Sequence, residues 1–155
     1  MKPAFRIAAV ALALAALAGA ARAQLKRSDA VVKAEAKADK VGADGTQVVT
    51  ITLTIDKGWH LYANPVGNAD LSDSQTSASL SSKNKLQDVK VEYPEGKFVK
   101  DKTVGDYKTY DGTVTLKATV RRAKGDTEPL DVEVKVQACS DSQCLLPATL
   151  KLTAK

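Results

Sequence analysis

Cys139 and Cys144 are the only two cysteines in the chain, and four polar residues, Ser140-Asp141-Ser142-Gln143, separate them. Their flanks read as strands, so the spacing predicts a tight turn that brings the two sulfurs face to face. Paired residues on antiparallel strands have Cα atoms about 4.5 to 5.5 Å apart, and a disulfide usually spans about 4.4 to 6.8 Å, so a Cys139–Cys144 bridge is geometrically easy. Such a pair offers either a static cross-link or thiol–disulfide exchange. A static staple is the commoner role of an isolated pair in an exported domain. Two points favour exchange. A loop this short gains only about 2 kcal/mol on chain-entropy estimates. The polar turn also leaves at least one sulfur near solvent, where an incoming thiolate can reach it.

His60 and Tyr62 are the next residues with useful chemistry. In Trp59-His60-Leu61-Tyr62 a strand period of two puts Trp59 and Leu61 on one face and His60 and Tyr62 on the other. If that second face lies beside the cysteines, an imidazole or phenol there can stabilise a developing thiolate or protonate a leaving sulfur. A plain surface histidine is the alternative reading. A zinc site or a Ser-His-Asp triad would have to be built on His60, the only histidine. A metal site of Cys139, Cys144 and His60 would lack a fourth ligand, so no metal and no organic cofactor is expected. The stretch from Phe98 to Gly112 mixes charges with aromatics, and is either a solvated connection or a cover loop over a reactive site.

The elements that must hold these residues are strands. Residues 32–38 alternate Val32, Ala34, Ala36 and Ala38 with charged neighbours. Residues 49–55 alternate aliphatics with threonines, the strongest strand pattern in the sequence. Further strands are predicted at 89–93, 112–120, 130–138 and 145–152. Residues 64–85 are polar and predicted to form a long loop with one short edge segment at 78–80. About seven short strands punctuated by turns predict an all-β fold, an antiparallel sandwich of immunoglobulin-like type.

The 155 residues are 44% hydrophobic and 26% charged, which suits one domain with a core. Residues 1–23 read as a signal peptide, with basic Lys2 and Arg6, an apolar run and an Ala21-Arg22-Ala23 cleavage motif. The domain is then 24–155. Cleavage removes three of the 23 basic side chains and no acid, so the net charge falls from +5 to +2 and gives no reason to expect nucleic-acid binding. No downstream run of about 20 apolar residues predicts a membrane span, so an exported protein with no stable membrane insertion is expected.

Taken together, Gly58-Trp59-His60-Leu61-Tyr62-Ala63-Asn64-Pro65, Val91-Glu92-Tyr93-Pro94, Tyr110-Asp111-Gly112 and Gln137-Ala138-Cys139 through Cys144-Leu145-Leu146-Pro147 occur in an informative order. From about Val31 to Leu152 the chain resembles the N-terminal periplasmic domain of the DsbD family of thiol:disulfide interchange proteins. The cysteine segment is the most specific of these motifs. The resemblance implies an immunoglobulin-like fold and an oxidoreductase-type activity, in which a cysteine pair relays electrons to or from thioredoxin-like periplasmic partners and is re-reduced by a membrane-linked reductant. It implies that Cys144 forms the mixed disulfide and Cys139 resolves it. His60 and Tyr62 fall where the family has aromatic residues beside the active site, and Asp101, Thr103 and Val104 fall in a segment resembling its protective cap.

The chain departs from the family pattern in having four residues between its cysteines where the best-known members have five, and Thr103-Val104 where their cap carries an aromatic. Those proteins also continue into membrane and thioredoxin domains, so donor and acceptor are expected to meet this chain in trans. The competing expectation is a non-catalytic immunoglobulin-like binding or assembly domain with a structural disulfide.

Overall fold

A computed structural model describes residues 26–155. The predicted signal peptide, residues 1–23, lies outside the described residues. The strand with the best pattern is also the centre of the largest sheet: β2 (Thr46–Ile55) lies between β1 (Val32–Ala38) and β8 (Thr113–Arg121), and β5 (Asp88–Glu92) forms the far edge. Its inward residues pair with inward residues of β8, with Val49 opposite Ala118, Ile51 opposite Leu116 and Leu53 opposite Val114. All six are buried, while the threonines between them face outward, so a period of two becomes a two-faced sheet.

A second sheet runs β11 (Ala148–Ala154), β9 (Leu130–Val136), β4 (Ser77–Ser81), all antiparallel. From β9 it supplies Leu130, Val132, Val134 and Val136 to the same buried cluster as Ile51, Leu53 and Leu116. The fold is the expected immunoglobulin-like antiparallel sandwich.

A third sheet carries the chemistry, in the order β10 (Ala138–Cys139), β3 (His60–Tyr62), β7 (Tyr107–Tyr110), β6 (Lys97–Val99). Strands β6 and β7 lie in the stretch read as a connection or cover loop, and only residues 100–106 between them form a turn. Their pattern is hidden in sequence because Thr109 and Tyr110 are buried consecutively. The strand expected at 130–138 is also divided. β9 stops at Val136, opposite Ala148, because Pro147 has no N–H with which to extend that pairing. One residue later Ala138 pairs instead with Leu61. The same proline delays the last strand from the expected 145 to Ala148. In the long polar stretch the expected edge segment is β4, preceded by a 3-10 helix at Ala69–Ser74.

Two contacts fix the third sheet to the sandwich. Leu61, Ala63 and Tyr110 are buried in the common core, and the Tyr110 hydroxyl donates to the Pro94 carbonyl at 2.8 Å while accepting from the Asn64 N–H at 3.1 Å. Gly96 lies so close behind that a Cβ built on it would sit 2.5 Å from Ala63 Cβ, which is why a side chain is excluded there.

Candidate functional site: a disulfide hairpin beside an aromatic row

The two cysteines form a disulfide across an isolated antiparallel bridge, with Cα atoms 4.0 Å apart. The backbone explains the closeness. Ser140 N–H donates to Gln143 O at 2.8 Å and Leu145 N–H to Ala138 O at 2.9 Å, one bond on either side of the cysteine pair. Cys139 and Cys144 are therefore a non-hydrogen-bonded pair, the type in which side chains approach most nearly. The observed separation is shorter than the range expected from sequence.

The two sulfur-bearing residues differ sharply in access. Cys139 belongs to β10 and is 2% exposed, whereas Cys144 follows the polar turn and is exposed. Exposed Leu146 and Pro147 follow Cys144, while the intervening Leu145 is buried. An external thiolate or disulfide thus meets Cys144 first.

The face opposite Leu61 does lie beside the cysteines. Cys139 is the direct partner of His60 in the β3–β10 register, so their side chains share a face. Tyr62 lies two residues along β3 on that face, its ring edge-on to His60 with centroids 6.2 Å apart, and Tyr107 from β7 continues the row at 5.6 Å from Tyr62. Burial holds the His60 imidazole below its ordinary pKa, with the carboxylates of Asp141 and Asp111 opposing that shift. Burial raises the Tyr62 phenol, and neighbouring Tyr107 and Asp101 push it the same way. Both rings are accordingly neutral near pH 7. Buried Thr76 fixes the Tyr62 backbone, donating to its carbonyl from N–H at 2.9 Å and from Oγ1 at 2.8 Å.

Asp101, Thr103 and Val104 form the turn between β6 and β7. The Asp101 carboxylate accepts from Thr103 N–H at 2.7 Å and Val104 N–H at 3.0 Å, and these bonds hold its pKa below the usual carboxylate value. Asn68 Nδ2 donates to Val104 O at 2.7 Å and ties the turn to the loop before the 3-10 helix. By register Tyr107 stands level with Asn64, at the opposite end of β3 from His60. The Tyr62 and Tyr107 rings therefore lie between this turn and the Cys139–His60 pair.

Sequence reasoning did not find Tyr107, Thr76 or Ser28. Tyr107 lay in a stretch with no strand pattern, and Thr76 in one read as loop. Ser28 is an ordinary serine more than 100 residues from the cysteines, yet its Oγ accepts from Ala138 N–H at 2.9 Å and donates to Leu146 O at 2.8 Å. No group of three or more His, Cys, Asp or Glu with the geometry of a metal site occurs among the described residues.

The family model described as "Thiol:disulfide interchange protein DsbD, N-terminal" matches residues 27–154. No curated protein matches the chain. Among solved structures, the reduced DsbD N-terminal domain of Neisseria meningitidis is similar with a TM-score of 0.53 and 17% identity, over 81% of this chain and 85% of that one. The N-terminal periplasmic domain of ScsB from Proteus mirabilis gives 0.56 and 18%, over 79% of this chain and 46% of that one. A chain from the complex between the DsbD and PilB N-terminal domains of Neisseria meningitidis gives 0.51 and 15%, over 79% and 80%. At these identities the likeness to solved structures is one of fold.

Proposed function

The chain belongs to the family of DsbD N-terminal domains of thiol:disulfide interchange proteins, and from that premise we propose that it is a periplasmic exchange module relaying electrons through Cys139 and Cys144 to or from thioredoxin-like partners. The observation that carries this reading is the unequal access of the two cysteines, one exposed and one buried against the only imidazole. A structural staple needs no such asymmetry. The neisserial complex joins a DsbD N-terminal domain to a PilB domain, which supports a protein partner here. No helix among the described residues is long and apolar enough to cross a membrane.

In the reducing direction the Cys144 thiolate attacks one sulfur of the partner disulfide. A mixed bond forms, the partner's S–S bond breaks, and its other sulfur leaves as a thiolate. Cys139 then attacks Cys144 Sγ, forming the intramolecular bridge and releasing the second partner thiolate. Two electrons and two protons pass to the partner. His60 faces Cys139 rather than the exposed sulfur, so its neutral imidazole accepts the Cys139 proton as that thiol becomes the attacking group, and returns a proton to Cys139 when the flow reverses. Tyr62 flanks the imidazole, and the turn carrying Asp101, Thr103 and Val104 acts as a cap at the far end of the aromatic row.

The test is the reduction potential of the pair in the purified domain, measured by counting free thiols in glutathione or dithiothreitol buffers. A value between about −120 and −270 mV is expected for an exchange protein. A value below about −300 mV is that of a resistant structural bridge and would overturn the reading.

A further inference from the structure

We propose that Ser28 is a positioning residue of the Cys139–Cys144 couple, its hydroxyl joining the two limbs that carry the cysteines and so setting how readily the dithiol closes. Ser28 is fully buried. Its Oγ accepts from the N–H of Ala138, the residue before Cys139, and donates to the carbonyl of Leu146, two residues after Cys144. Its own N–H donates to the same Leu146 carbonyl at 2.9 Å, and the Leu146 N–H donates to Lys26 O at 3.2 Å. The segment before β1 thus fills the break between the cysteine hairpin and the β9–β11 ladder, with one hydroxyl touching both limbs.

The two redox states use this connection differently. In the bridged form the S–S bond already holds the limbs together. In the dithiol non-covalent bonds do so: the two within the hairpin, the Gln137 Nε2 to Leu145 O bond at 3.5 Å, those that Ser28 makes where the ladder is broken at Gln137 and Pro147, and beyond the break the β9–β11 pairing that ends at Val136 and Ala148. A dithiol whose limbs are already held loses less freedom on bridging, so Cys139 is presented to Cys144 at a higher effective concentration. Resting on the exchange reading above, Ser28 then favours prompt resolution of the mixed disulfide and makes the pair a stronger reductant. A hydroxyl that contributed equally to both states would stabilise the fold without moving the potential.

Wild-type, Ser28→Ala and Ser28→Thr proteins should be equilibrated in glutathione redox buffers and their bridge-formation constants compared. In Ser28→Ala the constant is expected to fall about fivefold, which at about 30 mV per tenfold for a two-electron couple raises the potential by about 20 mV. Ser28→Thr, which keeps the hydroxyl, should stay within about twofold of wild type. Equal constants for Ser28→Ala and wild type would overturn the proposal even if the alanine variant melts earlier. A wild-type potential outside the exchange range would instead defeat the functional reading and leave the ratio between variants readable. If Ser28→Ala does not fold, amide hydrogen exchange on reduced wild-type protein decides the matter. The Ala138 N–H should stay protected after reduction, and a drop to the level of the exposed Ser142 amide would overturn the role.

Discussion

His60 stands directly opposite Cys139 in the β3–β10 register, so the only imidazole of the chain faces the buried sulfur of the disulfide and not the exposed one. The arrangement separates two tasks that exchange chemistry requires. In the proposed exchange Cys144 meets the partner in solvent, where its thiolate forms without a desolvation penalty. Cys139 must lose its proton in a desolvated position, where the thiolate is disfavoured unless a neighbour takes the proton.

The closing step should therefore depend on pH through His60. Burial lowers its pKa below 6.5, with Asp141 and Asp111 pulling the other way and Tyr62 as the uncharged neighbour. Oxidation of the dithiol by a small disulfide should speed up as pH rises through that lowered value. In His60→Phe the inflection should vanish and closure at pH 7 should slow by about tenfold or more. A stopped-flow pH profile identical in the two proteins would exclude the imidazole. Because the folded-state pKa is depressed, the stability linked to neutral His60 is present above about pH 6.5 and is lost as pH falls through the lowered value.

Single cysteine variants should show the difference in access. Cys139→Ser leaves Cys144 exposed and should capture a partner's disulfide as a stable mixed species, since nothing resolves it. Cys144→Ser leaves a thiol at a position that is 2% exposed, and its labelling by a chromogenic disulfide should be slower by about tenfold or more. Equal labelling rates would remove the physical basis for assigning attack to Cys144.

The turn between β6 and β7 should loosen in acid. Asp101 accepts two backbone N–H bonds, and its folded-state pKa is depressed by them. The order it contributes is present above the unfolded carboxylate pKa of about 4 and is lost as pH falls through the lowered value. Amide exchange at Thr103 and Val104 should accelerate over that range in wild type, and in Asp101→Ala it should be fast already at pH 7. Unchanged protection in the variant would show that Asn68 and the Asp106 carboxylate, which accepts from the residue 101 N–H at 3.3 Å, hold the turn without the Asp101 side chain.

The acid limb of global stability should be governed by a different carboxylate. Arg122 and Asp126 form an ion pair whose side chains are 2% and 3% exposed, and Gln47, Asn84 and the Glu128 backbone complete the network. Hydrogen bonds from Arg122, Glu128 N–H and Asn84 lower the Asp126 pKa to about 2. Its contribution should be intact above about pH 4 and fade as pH falls toward 2. In Asp126→Asn the melting temperature should be lower at pH 7 and much less dependent on pH between 4 and 2. An unaltered acid limb would assign the acid sensitivity elsewhere.

Much of this protein was legible from local pattern. Alternation with period two in β1, β2, β8 and β9 is a property of neighbouring residues, and it identified the sandwich and its core before any pairing was known. The cysteine pairing was equally local, since four polar residues suffice for a turn and no other thiol competes. The placement of His60 and Tyr62 on the face opposite Leu61 followed from the same alternation. What that face would meet did not follow. Whether His60 came to lie beside Cys139 depended on β9 ending at Val136 and the chain moving to another sheet at Ala138, a switch set by Pro147 and by Leu61 on a strand some 77 residues earlier. The strands β6 and β7 were hidden because their burial comes from the third sheet's position on the sandwich and leaves no alternation in sequence. Ser28 carried no signal at all, because a hydroxyl's role is set by the two backbone groups that the folded chain brings to it from 110 and 118 residues away. Periodicity and turn chemistry act over a few residues and are written in the sequence, whereas the contacts that bury one cysteine beside His60 and expose the other arise only when distant segments pack.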